Sequence, residues 1–260
     1  MRAMDDQLST PASATARAAV KRSWWQRPSV ISLGVVVVVL SGAVAWSLLS
    51  MKPAGLGATD TGLPWQVRAD GSGEAEVFGL ALGRSTLADV QRRFPEDLNV
   101  GLIVPNGQAP ALEAYVESFR AGFITGKLVL AFDADPAWAE RAKANAPKNT
   151  VGEGGRSRRY TLAGDDADTA RRAVLVAMAF LPSARLDEAT VVQRFGDHPE
   201  RHTGPAGETQ LLYAVKGVAI ALPPAEGEGA GTKTVIQYVA PRDFESRLRA
   251  PLLAASAPAH

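Results

Sequence analysis

Hydrophobic positions fall into three patterns along the chain. The first is an uncharged run. Between Arg27 and Lys52 no residue carries a charge, and this stretch includes the aliphatic run Val35 to Leu40. About 20 residues at ~1.5 Å rise cross a ~30 Å hydrocarbon core. In lipid a helix satisfies its own backbone hydrogen bonds and a lone strand does not, so the β-branched run still predicts a helix, over residues 29–51. Trp24, Trp25, Arg27 and Trp46 lie near its two ends, where such side chains favour the headgroup layer.

The second pattern is a short amphipathic helix, and it occurs twice. Val90 and Phe94 share a face in Leu87 to Phe94, as Val191 and Phe195 do in Leu186 to Phe195. Ser85 or Thr86 caps the first helix, with Asp89 completing a capping box from Thr86, and Ser183 caps the second. Pro95 and Gly196 follow the two phenylalanines as stop signals.

The third pattern is the apolar strand. Val77 to Leu82 precedes the first helix, and Tyr115 to Phe119 and Leu128 to Phe132 follow it. Val174 to Leu181 precedes the second, and Gln210 to Val215, Val218 to Leu222 and Thr234 to Val239 follow it. Each set closes with a short helical segment, Pro136 to Ala146 and Arg242 to Arg249. The order strand, helix, strands, helix therefore appears twice. The fold class expected is α+β: a first unit at 76–164 and a second at 165–250, each with helices packed on an antiparallel sheet. Residues 1–28 read as a disordered tail, 52–75 as a Gly/Thr-rich linker, and 251–260 as a frayed Ala/Pro tail.

The second unit resembles the small outer-membrane assembly lipoproteins (SmpA/OmlA) and the related β-lactamase-inhibitor-protein fold. The likeness rests on a short helix ending in Phe-Gly (Val192 to Gly196), a polar turn with Pro199, and strands bearing Tyr213. It covers about forty residues of each unit. The chain departs from that family in lacking a lipobox cysteine, in its hydrophobic anchor, and in Pro95 where a Gly is expected. The resemblance implies protein–protein binding in a bacterial envelope, without catalysis, and transfers no functional residue.

Charge sets orientation. Arg17, Lys21, Arg22 and Arg27 precede the hydrophobic run and only Lys52 follows closely, so the positive-inside rule places the N-terminus in the cytoplasm and the rest in the periplasm, on a bacterial inner membrane. A cleaved signal peptide is the alternative, since Ala43-Val44-Ala45 has the cleavage-site form. A net charge of +1 over 260 residues argues against a nucleic-acid partner, which requires a basic face. No cysteine is present, which excludes disulfides, thiolate nucleophiles and Cys-based metal sites.

The remaining candidate chemistry is sparse. His198 and His202 have metal-ligand spacing only on a helix, and Gly196 and Pro199 predict a loop. Gly227 to Thr234 nearly matches a phosphate-binding loop, but Thr232 stands where Gly must precede the Lys, and a strand follows. Asp165, Asp166 and Asp168 fit a turn or helix cap better than a calcium loop. Arg156, Arg158 and Arg159, in a Gly-rich stretch, form the one cluster that reads as an interaction or anion-binding patch. Trp65 reads as packed on the first unit. No catalytic, metal or cofactor signature emerges. The expected function is a membrane-anchored envelope protein whose periplasmic domain binds another protein, with the bilayer as its other partner; a small-ligand-binding or sensory domain is the alternative.

Overall fold

Alternating apolar residues build one wide sheet, with short helices on both of its faces. The computed structural model describes residues 62–152, 155–225 and 232–256. The predicted anchor at 29–51, with Trp24, Trp25, Arg27 and Trp46, lies outside the described residues. Among the described residues no helix is long and apolar enough to cross a membrane.

In chain order the elements are β1 (Arg68–Ala69), β2 (Ala75–Val77), β3 (Leu80–Leu82), α1 (Leu87–Arg93), β4 (Leu98–Pro105), β5 (Ala111–Ala121), β6 (Ile124–Asp133), α2 (Pro136–Asn145), β7 (Asn149–Val151) and β8 (Ser157–Tyr160). They continue with α3 (Gly164–Ala170), β9 (Val174–Pro182), α4 (Glu188–Phe195), β10 (Glu200–Thr203), β11 (Thr209–Tyr213), β12 (Val218–Leu222), β13 (Val235–Val239) and a terminal helix that ends in α5 (Ala250–Ser256). The fold is α+β. Ten strands form one sheet in the order β10-β11-β12-β13-β9-β6-β5-β4-β8-β7, antiparallel throughout, and β1, β2 and β3 form a small second sheet. The meanders β4–β6 and β10–β13 meet at β9, which pairs with β6 on one side and β13 on the other. That central place explains why all but the first residue of β9 is buried.

The expected capping box is present: Asp89 accepts from the Thr86 amide at 2.7 Å, and Thr86 Oγ1 accepts from the Asp89 amide at 3.3 Å. The second helix begins later than its sequence signal. Asp187, not Ser183, caps α4, accepting from the Thr190 amide at 2.7 Å. The Ser183 amide instead donates to Thr125 at the end of the sheet, so its backbone is committed to strand geometry.

On the first face α1, α2 and α4 bury Leu87, Val90, Trp138, Val191 and Phe195. The expected strand Val77 to Leu82 is broken there. Phe78 and Gly79 both have positive φ (56° and 73°) and form the two-residue turn between β2 and β3. A left-handed phenylalanine is strained, but the turn drives its ring into the core. It meets Phe119 at 4.9 Å, Tyr238 at 5.6 Å and Phe180 at 5.9 Å, all edge-on, and such pairs stabilise by about 0.5–1.5 kcal/mol beyond area burial.

The chain already lies on the fold well before residue 76, inside the stretch 52–75 expected as a linker. Leu63, Pro64, Trp65 and Val67 form a strap across the first face, where the Pro64 carbonyl accepts from the Tyr238 hydroxyl at 3.0 Å and Trp65 sits edge-on to Phe195 at 6.4 Å. The glycines and aspartates on either side hid this short apolar stretch.

The second face has a floor of small residues, Ala131, Ala177, Ala179 and Ala219, onto which the terminal helix lowers Phe244 and Leu248. Residues 251–256 are helical rather than frayed, and Leu252 packs on that face. Pro251 would ordinarily break a helix. Here a wide π turn at Glu245–Arg249 immediately precedes it, loosening the ladder where proline lacks an N–H.

Candidate interaction site

The Gly-rich basic stretch is not a simple connector. Asn149 to Val151 and Ser157 to Tyr160 form the β7–β8 hairpin, and β8 joins it to β4. Strand alternation then separates the three arginines expected to form one patch. Arg159, paired with Ile103, lies on the second face. Its guanidinium stacks 5.1 Å from the Tyr115 ring centre and donates to the Tyr115 hydroxyl at 3.2 Å and the Val100 carbonyl at 2.9 Å. Gly101 makes room for it, since a Cβ there would come 2.9 Å from Arg159 Nε. Arg158 donates to Asn149 Oδ1 at 3.1 Å, and Arg156 is exposed, its carbonyl accepting from the Asn106 amide at 2.9 Å. Arg159 is thus a structural brace, and only Arg156 and Arg158 remain toward solvent.

β7 is one of the two outer strands of the sheet, and its hydrogen-bond parity is legible. The Thr161 amide donates to the Lys148 carbonyl at 2.9 Å, and the Gly152 amide donates to the Ser157 carbonyl at 2.8 Å. Between them Thr150 pairs with Arg159. Residues 148, 150 and 152 therefore face β8, and Asn149 and Val151 turn their N–H and C=O groups outward. All three β7 residues are exposed, Val151 by 56%. The sequence carried a hairpin signal here: a β-branched pair, a Gly-rich turn, then an aromatic. It was masked by the three-residue length and the basic charge.

The other outer strand, β10, also turns backbone groups outward, at Arg201 and Thr203, but a helix flanks it on the second face. Glu200 and His202 of β10 lie on the second face, and Arg249 of the terminal helix donates to both Glu200 carboxylate oxygens, its Nε at 3.0 and 2.9 Å and its Nη2 at 2.8 Å. His202 Nε2 is 2.7 Å from Glu200 Oε1. Hydrogen bonds from Arg249, then from His202, hold the Glu200 carboxyl down to about 2. His202 is thereby engaged in a strand, and His198 sits in the preceding loop at φ 62°. Among the described residues no group of His, Cys, Asp or Glu is placed to hold a metal ion.

On the second face the carboxyl of Glu113 stands without a partner among the described residues. Glu113 of β5 lies between Gly101 of β4 and Ala131 of β6. Its side chain is buried and its Oε1 meets no hydrogen-bond donor among the described residues. Burial pushes its carboxyl well above the usual range, toward the neutral form.

The other candidates resolve simply. Asp165 and Asp166 occupy the first turn of α3, where acidic residues favour the helix dipole. Residues 227–231 lie outside the described residues, and the strand β13 follows them rather than a helix. A cleft of about 550 Å³ lies between the strap, the Phe78–Gly79 turn and α1, lined by Gln66, Arg68, Glu76 and Arg93 among others. It is open to solvent, and its charged lining offers little apolar surface to bury a ligand.

The chain finds no match among family models, curated proteins or solved structures. Its fold defines a class at the level of architecture: an α+β domain on one ten-stranded antiparallel sheet, with β10 and β7 as its outer strands.

Proposed function

We propose that this chain is a membrane-anchored bacterial envelope protein whose periplasmic domain binds another protein by strand addition at β7. In this reading residues 29–51 form a single-pass inner-membrane helix with the N-terminus cytoplasmic, and the soluble domain acts without catalysis. The two halves are tandem units that share one sheet: α1 precedes β4–β6 as α4 precedes β10–β13. The loose likeness to the outer-membrane assembly lipoproteins belongs to the same reading.

The observation that carries it is the outward backbone of Asn149 and Val151 on an exposed outer strand. Unpaired N–H and C=O groups form a template for an added strand. Arg156 and Arg158 near this edge favour an acidic or carboxylate-bearing segment. The test is photo-crosslinking in intact membranes, with a benzophenone amino acid at position 151 or, as a control, at Thr203 of β10. A reproducible adduct with an envelope protein from position 151 and not from 203 is expected. Equal yields from the two positions would end the β7 assignment.

A further inference from the structure

We infer that the corner formed by Phe123, Trp65 and Arg194 rests in the lipid headgroup layer of the membrane that anchors the chain. Phe123 occupies the tip of the β5–β6 hairpin and is 76% exposed. Of the three exposed large apolar residues among those described (Phe123, Val151 and Val215), it alone belongs to an aromatic cluster. Its ring lies 6.2 Å from that of Trp65, and the Arg194 guanidinium lies 5.1 Å from the Trp65 ring centre. An exposed phenyl ring, a half-buried indole and a guanidinium together suit the boundary between acyl chains and anionic headgroups.

The course of the chain selects lipid as the occupant. The strap enters the fold at this corner: a Cβ on Gly122 would come 2.6 Å from Leu63 Cδ2. Residues 52–61 alone separate the hydrophobic run from the first described residue. At ~3.5 Å each they reach at most about 35 Å. The hairpin tip therefore stays within about 35 Å of the anchor's end. One exposed ring beside a half-covered one is also far short of the ~800 Å² per partner that a stable protein interface buries.

This orientation places the rest of the molecule. β5 runs 11 residues from Ala111 to Ala121, about 33 Å at ~3.3 Å per residue. The Phe123 tip lies at one end of it. The β4–β8 pairing lies at the other, where Ile103 stands opposite Ala111 on one side and Arg159 on the other. With the tip on the membrane, the β7 edge points away from it.

The inference rests on the anchor reading and on nothing proposed for β7. Because the chain has no cysteine, single labels report cleanly. The full-length protein carrying Thr125→Cys, next to the tip, is labelled with an environment-sensitive fluorophore and reconstituted in phosphatidylcholine vesicles containing phosphatidylglycerol. Val151→Cys and Leu40→Cys, labelled the same way, report on the far edge and on the hydrophobic run. Headgroup-level nitroxide lipids are expected to quench the Thr125 label several-fold more than the Val151 label, and adding Phe123→Ser should bring the Thr125 label down to the Val151 level. Quenching at Thr125 no greater than at Val151, with the Leu40 label quenched by nitroxides deep in the acyl chains, would overturn the corner's docking and leave the anchor standing. A Leu40 label untouched by deep nitroxides would remove the anchor, and the docking with it.

Discussion

The two outer strands of the sheet have the same neighbours in kind and opposite treatments. At β10 a carboxylate, Glu200, is met by Arg249 from a helix that buries Phe244 and Leu248 against the same face. At the β7 end Arg159, on that face, turns inward to brace Tyr115 and the Val100 carbonyl, and Glu113 Oε1 meets no partner among the described residues. The β10 strand is thus flanked on the second face by a helix and a charge pair, although its Arg201 and Thr203 backbone points outward as that of Asn149 and Val151 does. At β7 the cation is spent inside the sheet and all three residues of the strand are exposed. Exposed strand edges invite pairing with other chains, and folds that do not use them blunt them. The bare flanks of β7 make it the more accessible of the two templates.

The largest way to break this contrast is to unseat the sealing helix. Leu248→Ala or Phe244→Ala removes a fully covered side chain from the alanine floor, and each should cost about 2–5 kcal/mol. Urea denaturation would give the loss, and amide exchange at Glu200–Thr203 should accelerate while β7 exchange is unchanged.

The next effect is electrostatic, and the two carboxyls should differ in sign. Glu200 is held down to about 2 by its partners, below its ordinary 4.5. Its contribution to stability is therefore present above about 4.5 and is lost as pH falls toward about 2. Arg249→Met should return the carboxyl toward its ordinary range and move acid release of the terminal helix to higher pH, followed by circular dichroism. Glu113 is raised instead, by burial. Its contribution is fully present below the ordinary carboxylate range and is lost as pH rises through its folded value. Glu113→Gln should remove that loss and flatten the alkaline side of the stability profile; a profile identical to the parent's would show that the carboxyl is not in fact kept neutral.

These contrasts were unevenly legible in the sequence. The inner halves of β5 and β6 (Tyr115 to Phe119 and Leu128 to Phe132), nearly all of β9, the helix face of Val90 and Phe94, and the Thr86–Asp89 cap follow from periodicity and capping chemistry, because local pattern and packing agree there. The broken strand at Phe78 did not follow: its left-handed turn is favoured by a ring stack with Phe119, Phe180 and Tyr238, residues remote in sequence. β7 and β10 were missed for a related reason. Each is only three or four residues long and carries no apolar alternation, so each is held by its neighbour strand rather than by its own propensity. The arginine cluster was visible as charge, but its division into a brace and two solvent-facing residues depends on Gly101, 58 residues before Arg159.

The smallest effect on stability should come from the variant that matters most to the account. Val151→Pro removes an N–H that faces away from β8, so the fold should lose no more than about 0.5 kcal/mol. The direct test is co-purification of the full-length chain from crosslinked membranes, parent against Val151→Pro, with the melting curves of both proteins compared. Loss of the captured envelope protein with the melting curve unchanged is the predicted result. Undiminished capture by the Val151→Pro chain would contradict strand addition at β7.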